Sequence, residues 1–147
     1  MIKIKEIKAE DTFPIRKEVL RKGMTLSHEL PGDHDADTVH LGVFWDGQLI
    51  CIGSFMKASK LPFSGFQYQL RGMATANGFQ GKGYGQILVK RAEEMLKARG
   101  VELIWCNARV SALDFYRKLG YETTGAVFDV PQVGPHYMMF KKLRNSL

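Results

Sequence analysis

Three glycines stand at alternate positions in the run Gln80-Gly81-Lys82-Gly83-Tyr84-Gly85. The run follows a strand-like segment and opens an amphipathic helix. Glycines in such a turn leave backbone N–H groups uncovered by side chains, and the helix adds the positive end of its dipole. Donors arranged in this way bind phosphate groups. The run therefore predicts a site for a phosphorylated ligand, and a turn that only reverses the chain is the alternative.

The spacing of the glycines excludes two common phosphate-binding motifs. A P-loop needs Ser or Thr directly after its Gly-Lys pair, and this chain has Gly83 at that position. A dinucleotide-binding G-x-G-x-x-G motif would place its third glycine at Gln86 or Leu88. The spacing that remains is Q-x-x-G-x-G, formed by Gln80, Gly83 and Gly85.

Three arginines are candidates for binding an acidic group. Arg71 interrupts an otherwise apolar strand, where a charge is costly unless it is paired. Arg109 follows a buried strand, and Arg21 ends the first predicted helix. Guanidinium groups bind carboxylate and phosphonate oxygens through a bidentate fork. The alternatives are an internal salt bridge for Arg71 and simple surface exposure for Arg21 and Arg109.

An acidic cluster near the start of the chain has the beginning of a calcium-binding loop. Asp33, Asp35 and Asp37 have the spacing of the first ligands of an EF-hand. Thr38 replaces the glycine that the loop requires, and Phe44 replaces its bidentate glutamate. We therefore expect no metal site. His40, nearby, is expected to be structural.

Composition and charge indicate a globular protein with an anionic partner. The chain of 147 residues is 45% hydrophobic and 24% charged, which is ordinary for one domain. The formal net charge is +6 and the pI is near 9.4. Lysines and arginines are spread along the chain without a long basic run, so nucleic acid is not the predicted partner. A phosphorylated cosubstrate together with an acidic small molecule accounts for the charge.

The cysteines and the apolar runs bear on location. Cys51 and Cys106 lie in apolar strand-like segments and form no C-x-x-C pair, which favours reduced, buried thiols. No apolar run approaches the ~20 residues of a membrane span, and the first residues lack the apolar stretch of a signal peptide. We expect a cytoplasmic protein without a membrane partner.

Apolar periodicity predicts the element order β-α-β-β-β-α-β-α-β-β. Asp46-Gly47 lies between two apolar runs and predicts a hairpin, and Asp11 or Thr12 is the expected cap of the first helix. The predicted strands cover residues 2–7, 39–45, 49–56, 66–75, 101–106, 121–128 and 136–142, and the predicted helices run to about Lys22, from the glycine run to Arg99, and over 111–119.

Several motifs together resemble the GNAT superfamily of N-acetyltransferases. The spacing Q-x-x-G-x-G is similar to the acyl-CoA pyrophosphate loop of that family. The segment Phe115-Tyr116-Arg117-Lys118-Leu119-Gly120-Tyr121 is similar to its F-Y-x-K-x-G-[FY] signature. The segments that resemble the glyphosate N-acetyltransferase branch are Ile15–Arg21, Tyr68–Thr75, Trp105–Arg109 and Asp129–His136. The resemblance covers nearly the whole chain.

The resemblance implies a fold and a reaction. The implied fold is α/β of the GNAT (acyl-CoA N-acyltransferase) type, a mixed central β-sheet flanked by helices, in a single domain over residues 1–147. The implied reaction is direct transfer of the acetyl group of acetyl-CoA to the amine of a small acceptor. That acceptor is amino-acid-like or an amino-phosphonate (glyphosate-type) and carries acidic groups.

The resemblance also assigns the site residues. It gives the thioester and pantetheine arm to the backbone of Met73, Ala74 and Thr75, and the pyrophosphate to Gln80–Gly85. The remaining assignments are Asn107 and Ser111 as further acetyl-CoA contacts, His136 as general base, Tyr116 as general acid, and Arg21, Arg71, Arg109 and His136 as contacts to the acceptor.

Two alternatives stay open at the level of the sequence. The acceptor can instead be a protein N-terminus or a lysine side chain. The chain can also be a CoA-binding or nucleic-acid-binding module without turnover, although a pure binder needs neither Tyr116 nor His136. Either a monomer or a homodimer is compatible with the sequence.

Overall fold

A computed structural model describes residues 1–143, so the last four positions of the predicted domain lie outside the described residues. The predicted element order is confirmed. The elements are β1 (Ile2–Ile7), α1 (Ala9–Ile15), a π-helical turn (Arg16–Leu20), β2 (Val39–Trp45), β3 (Gln48–Lys57), β4 (Gln67–Thr75), α2 (Tyr84–Ala98), β5 (Leu103–Arg109), a 3₁₀ turn (Val110–Ala112), α3 (Leu113–Lys118), β6 (Glu122–Val130) and β7 (Gly134–Lys142).

The seven strands form one mixed sheet in the order β1-β2-β3-β4-β5-β7-β6. Strands β4 and β5 pair in parallel, whereas β1–β2, β2–β3, β5–β7 and β6–β7 pair antiparallel. A helix links the two parallel strands, as a parallel connection requires. The predicted α/β class with a mixed sheet is therefore confirmed.

The chain divides into two compact units. The first unit contains residues 1–56 and 70–92, and the second contains residues 57–69 and the described chain from residue 93 onward.

The first unit is built on the antiparallel strands β1, β2 and β3. The predicted hairpin between β2 and β3 is confirmed, with Asp46 and Gly47 at φ of 46° and 83°. Two positive φ values in a two-residue loop define the turn type that matches the twist of a hairpin. Helix α1 contributes Ile15 to a buried cluster with Ile52 and Ala74.

The first helix begins earlier than the sequence predicted, so the expected cap at Asp11 or Thr12 is wrong. Lys8 is the N-cap. Its N–H donates at 2.9 Å to Oδ2 of Asp11, which lies inside the first turn. Thr12 is buried, and its hydroxyl donates to Ala9 O at 2.6 Å. The helix then widens into the π-helical turn, where Arg21 N–H donates to Arg16 O at 3.0 Å.

The second unit is centred on β5, where Leu103, Ile104, Trp105 and Cys106 are consecutively buried. A strand covered on both faces needs no apolar–polar alternation. Helix α3 follows the 3₁₀ turn and ends before Gly120, whose φ is 95°.

A polar clamp of Glu93, Tyr121 and Lys141 holds the end of α3. Lys141 Nζ donates to Leu119 O at 2.7 Å and to Glu93 Oε1 at 2.9 Å. Tyr121 Oη donates to Glu93 Oε2 at 2.9 Å. The clamp satisfies a carbonyl that the helix leaves unpaired, and it thereby fixes the helix that carries Tyr116.

Candidate active site

The glycine-rich loop before α2 is open and exposed. Gly78, Gly81 and Gly83 have φ of 89°, 76° and 87°, and no atom would approach a Cβ at any of them within 4 Å. Glycine is therefore needed at these positions because of the positive φ, and not because a side chain would clash with a neighbour. The first N–H groups of α2 have no intrahelical partner and point along the positive end of the helix dipole. This is the geometry expected of an anion-binding loop.

The exposed Gln80 side chain forms hydrogen bonds to the residues that precede this loop. Its Nε2 donates to Thr75 O at 3.0 Å and to Asn77 Oδ1 at 3.5 Å. Asn77 Nδ2 in turn donates to Glu18 Oε1 at 2.9 Å. The motif position held by Gln80 therefore supports the shape of the loop through hydrogen bonds to its own chain. Lys82 is exposed, with Nζ 5.9 Å from the centroid of the Phe79 ring.

A backbone irregularity lies inside β4. Gly72 has φ of 64°, and a Cβ there would lie 3.1 Å from Arg16 Nε. A left-handed residue within a strand re-aims the adjoining peptide groups. Met73 and Thr75 flank the buried Ala74, and Thr75 Oγ1 donates to Cys51 Sγ at 3.3 Å. The irregularity thus precedes the three residues that the family resemblance assigns to the thioester and pantetheine arm.

The structure places a buried ion pair in the first unit that the sequence analysis did not foresee. Arg16 is 1% exposed. Its Nη1 donates to Asp33 Oδ2 at 2.8 Å, and its Nη2 donates to Asp33 Oδ1 at 3.0 Å. The sequence did contain one indication of this pair. Arg16 precedes Val19 by three positions and Leu20 by four, so a helix places its charge on the apolar face. Asp33, considered above only as a calcium ligand, is its partner.

Two more polar side chains complete this pair. Arg16 Nη2 donates to Ser54 Oγ at 2.9 Å. His40 Nε2 lies 2.8 Å from the Asp33 carbonyl oxygen, which can only accept, so Nε2 carries the proton. His40 Nδ1 then accepts from Ser54 Oγ at 2.7 Å. His40 is thus a buried structural residue, as expected.

The pKa of Asp33 reflects these contacts. Burial by itself raises the pKa of its carboxyl group. The hydrogen bonds from Arg16 and from Leu30 N–H, together with the charge of Arg16, outweigh burial and lower the pKa of this carboxyl group below its ordinary value. The carboxylate is therefore held ionised inside the unit.

Arg71 lies in the electric field of this pair. Burial lowers the pKa of its guanidinium, the charge of Arg16 lowers it further, and Asp33 acts in the opposite direction. Among residues 1–143, no hydrogen bond or ion pair is formed by the Arg71 side chain. The internal salt bridge considered as the alternative is thus not found in the described chain.

Arg21 holds the chain that follows the π-helical turn. Its Nε donates to Ser27 O at 3.0 Å, and its Nη1 donates to Leu20 O at 3.4 Å. The side chain is half-buried and lies at the surface.

In the second unit, Tyr116 is 7% exposed on α3. Its ring contacts those of Phe115 and Tyr121 edge-on, at centroid distances of 5.0 and 5.7 Å. Burial raises the pKa of its hydroxyl well above 10.0, and the nearby Cys106 adds to the effect. The hydroxyl therefore stays protonated over the neutral range, which a proton donor requires.

His136 is the third residue of β7, which follows a short turn after β6. The ring is 6% exposed and stacks on Phe128 with centroids 5.8 Å apart. Its Nδ1 lies 2.7 Å from Gly134 O, which can only accept, so Nδ1 is the protonated nitrogen of the neutral ring. The lone pair is then on Nε2, and the backbone contact fixes the ring orientation.

Arg109 is the register partner of His136 across β5 and β7. Directly opposite residues of an antiparallel pair place their side chains on one face, with Cβ atoms about 5 Å apart. The structure therefore brings these two candidates together. Asn107 is exposed two positions earlier, on the same face of β5, and Ser111 is exposed in the 3₁₀ turn.

The cysteines are poorly suited to covalent catalysis. Burial raises the pKa of Cys51 to about 11 and that of Cys106 to about 12. Thiols with such values are not nucleophilic near pH 7. Within residues 1–143, no group of three or more His, Cys, Asp or Glu side chains is arranged to hold a metal ion. None of the helices in that part of the chain combines the length and hydropathy of a membrane span.

Comparisons with known proteins agree on one family. A model of the acetyltransferase (GNAT) family matches residues 3–121. The uncharacterized N-acetyltransferase YitI of Bacillus subtilis (strain 168) is 42% identical over 148 aligned positions, which cover 99% of each chain.

Solved structures share the fold at low sequence identity. An aminoglycoside 6'-N-acetyltransferase complexed with coenzyme A superposes with a TM-score of 0.79 at 15% identity, over 99% of each chain. Escherichia coli ElaA gives a TM-score of 0.79 at 15% identity, over 96% of this chain and 99% of its own.

Proposed function

This chain belongs to the GNAT family of acetyltransferases, and from that premise we propose that its acceptor is a small amine carrying acidic groups. The fold is the GNAT acyl-CoA N-acyltransferase fold, and the protein is an acetyl-CoA-dependent N-acetyltransferase. The proposal adds the acceptor class, of the glyphosate type, and the roles of individual residues. It treats residues 1–147 as a single catalytic domain.

Acetyl-CoA is held by backbone groups in this proposal. The N–H groups of Gln80–Gly85 and the start of α2 bind the pyrophosphate, with Lys82 adding a positive charge. The peptide groups of Met73, Ala74 and Thr75 bind the pantetheine arm, and Met73 N–H polarises the thioester carbonyl. The left-handed Gly72 supports this role because it re-aims the peptide that follows. Asn107 and Ser111 supply further polar contacts.

His136 acts as the general base. The observation that carries this assignment is the hydrogen bond from Nδ1 to Gly134 O at 2.7 Å, since it leaves the Nε2 lone pair as the acceptor. Nε2 takes a proton from the ammonium group of the acceptor. The resulting neutral amine then attacks the carbonyl carbon of the thioester. Proton transfer of this kind contributes roughly 10²–10⁴ in rate.

Tyr116 acts as the general acid. When the tetrahedral adduct collapses, the C–S bond breaks and its electron pair stays on sulfur. The Tyr116 hydroxyl then donates its proton to the thiolate of coenzyme A, and the phenolate is reprotonated by the second proton that the acetylated nitrogen loses as the neutral amide forms. Its raised pKa supports the role because the hydroxyl is fully protonated before each turnover. The high thiol pKa values of Cys51 and Cys106 support direct transfer without an acyl-enzyme.

Three arginines bind the acidic groups of the acceptor in this proposal. Arg71 supports this proposal best, because its guanidinium is half-buried and forms no ion pair within the described chain. Arg109 stands opposite His136 in the strand register, where it can direct an acidic group toward the side of the general base. Arg21 is the third proposed contact, although part of its guanidinium holds Ser27.

A thiol-release assay tests the acceptor class. The enzyme and acetyl-CoA are mixed with aminomethylphosphonate, glyphosate, L-aspartate, L-asparagine, spermidine or a lysine peptide, and free coenzyme A is detected with a thiol reagent. We expect higher kcat/KM for the acidic amines, and for L-aspartate over its neutral match L-asparagine. Faster release with the lysine peptide or with spermidine would refute the acidic-acceptor proposal in favour of a protein or polyamine acceptor. Absence of release with every amine would favour a binding module.

A further inference from the structure

The guanidinium groups of Arg16 and Arg71 both interact electrostatically with the carboxylate of Asp33. Asp33 is bonded to Arg16 through both oxygens, while Arg71 feels the charges of both residues and bonds to neither. The three ionised groups carry a net charge of +1. An arginine that is half-buried beside another arginine is costly to keep without an anion. Arg71 is thus poised to gain from an external acidic group.

We propose that Arg16 is a specificity-determining positioning residue for the acetyl acceptor. By saturating Asp33, Arg16 withholds that carboxylate from Arg71, so Arg71 remains available for an acidic group of the acceptor. This inference rests on the proposed function, because it presupposes that Arg71 binds the acceptor.

The contacts of Asp33 show the saturation. Its Oδ2 accepts from Arg16 Nη1 at 2.8 Å and from Leu30 N–H at 2.9 Å, and its Oδ1 accepts from Arg16 Nη2 at 3.0 Å. Charge-assisted bonds in a bidentate fork are the strong ones among protein hydrogen bonds. A second guanidinium therefore has little to gain from Asp33 while Arg16 is in place.

Both terminal nitrogens of the buried Arg16 guanidinium are held by further hydrogen bonds besides those to Asp33. Nη1 also donates to His28 O at 3.0 Å, and Nη2 also donates to Ser54 Oγ. Nε is buried without a hydrogen-bond partner in the described chain and faces Gly72. A guanidinium so enclosed does not reach a ligand. Arg16 thus acts through Asp33 and Arg71 and touches no reacting atom.

The charge arrangement predicts effects of opposite sign for the two members of the pair. Without the Arg16 cation, Asp33 attracts Arg71, the two charges cancel, and an acidic ligand loses its partner. Without the Asp33 carboxylate, two cations remain, and an acidic ligand binds more tightly. If both charges are removed, Arg71 is again the one unpaired cation of the three groups. A purely structural role predicts weaker binding in all three cases.

The test measures binding of phosphonoacetate, an anion without an amine, to the full chain saturated with coenzyme A. Calorimetry at low ionic strength compares wild type with Arg16→Met, Asp33→Asn and the double variant Arg16→Met/Asp33→Asn. We expect Kd to rise about tenfold in Arg16→Met and to fall about threefold or more in Asp33→Asn. The double variant should return to within about threefold of wild type.

Arg71→Gln separates the two levels of the proposal. If Arg71→Gln binds phosphonoacetate as wild type does, the acceptor role of Arg71 fails, and this inference fails with it. If Arg71→Gln loses binding while Arg16→Met retains it, only the inference about Arg16 is overturned. A double variant as weak as Arg16→Met would also overturn it, because removal of Asp33 would then have rescued nothing.

Circular dichroism of each variant controls for folding. Where Arg16→Met does not fold, Asp33→Asn and the double variant still decide. Weaker phosphonoacetate binding in Asp33→Asn than in wild type overturns the inference, and tighter binding supports it. In turnover assays the same ordering should appear in KM for L-aspartate, with KM for acetyl-CoA unchanged.

Discussion

Tyr116 and Tyr121 form a matched pair that separates catalysis from stability. Both rings are buried and meet edge-on at 5.7 Å, and burial raises the pKa of both hydroxyls well above 10.0. They differ in their hydrogen bonds. Tyr121 Oη donates to Glu93 Oε2 at 2.9 Å, whereas the Tyr116 hydroxyl forms no hydrogen bond within residues 1–143. Replacing each by phenylalanine therefore removes different things.

For Tyr121→Phe we expect a loss of stability and normal turnover. A hydrogen bond to a charged group contributes roughly 1.5–3 kcal/mol, and Glu93 keeps its second donor, Lys141. In a chain of this length each kcal/mol corresponds to about 3 °C in Tm, so Tm should fall by about 5–9 °C. With the ring itself retained, α3 keeps its packing, and kcat should stay within about twofold of wild type.

For Tyr116→Phe we expect the reverse. Loss of an unbonded hydroxyl should change the free energy of unfolding by less than about 0.5 kcal/mol. If Tyr116 is the general acid, as proposed, its loss should lower kcat by about 10² or more. Differential scanning calorimetry and the thiol-release assay measure the two quantities on the same samples. A Tyr116→Phe enzyme with wild-type kcat, or a Tyr121→Phe enzyme with the larger loss of kcat, would refute the reasoning.

Three further predictions concern the base, the phosphate loop and alkaline pH. His136→Gln should lower kcat by roughly 10²–10⁴ while the Kd of coenzyme A, measured by calorimetry, is unchanged; a normal kcat would remove His136 from the reaction. Gly83→Ala should strain a backbone with φ of 87° and weaken the binding of coenzyme A. Gly100→Ala is the control, because it has φ of 89° and equally open space, and it should be as strained but bind coenzyme A normally. Equal Kd values for the two variants would contradict a role of this loop in binding coenzyme A. Because burial raises the pKa of Cys51 to about 11 and of Cys106 to about 12 from 9.0, the stability that the neutral thiols provide is complete below pH 9 and lost as pH rises through 12. Denaturant unfolding at pH 8 and pH 10.5 should show this loss, and equal stability at both values would contradict it.

Local sequence patterns were sufficient for the element order and for the hairpin at Asp46-Gly47. Each depends on interactions between residues close in the chain: a glycine that permits a positive φ, or an apolar period that matches one element. The start of the first helix was predicted wrongly because Asp11 caps from within the first turn and Thr12 faces the interior. The residue types that cap a helix occur both at its N-cap and inside its first turn. The sequence alone therefore does not show at which residue the helix begins.

The buried network of the first unit shows the limit of the same approach. Arg16, Asp33, His40 and Ser54 are separated by 7 to 38 positions along the chain, and each is an ordinary surface residue by type. Their pairing depends on which strand and which loop meet the π-helical turn. From its spacing, Asp33 could only be compared with the first ligand of an incomplete calcium-binding loop. In the structure, its partner is a buried arginine.

The sequence by itself determined the family, the glycine-rich loop and the set of polar residues proposed to act on acetyl-CoA and an acidic amine. These are properties of spacing within short segments, and backbone conformation follows from spacing. Only the tertiary structure decided which nitrogen of His136 donates to Gly134 O, that Tyr116 is buried with a raised pKa, and that both carboxylate oxygens of Asp33 are bonded to Arg16. Each of these depends on burial and on charges brought together from distant parts of the chain, and their energies have no local signature.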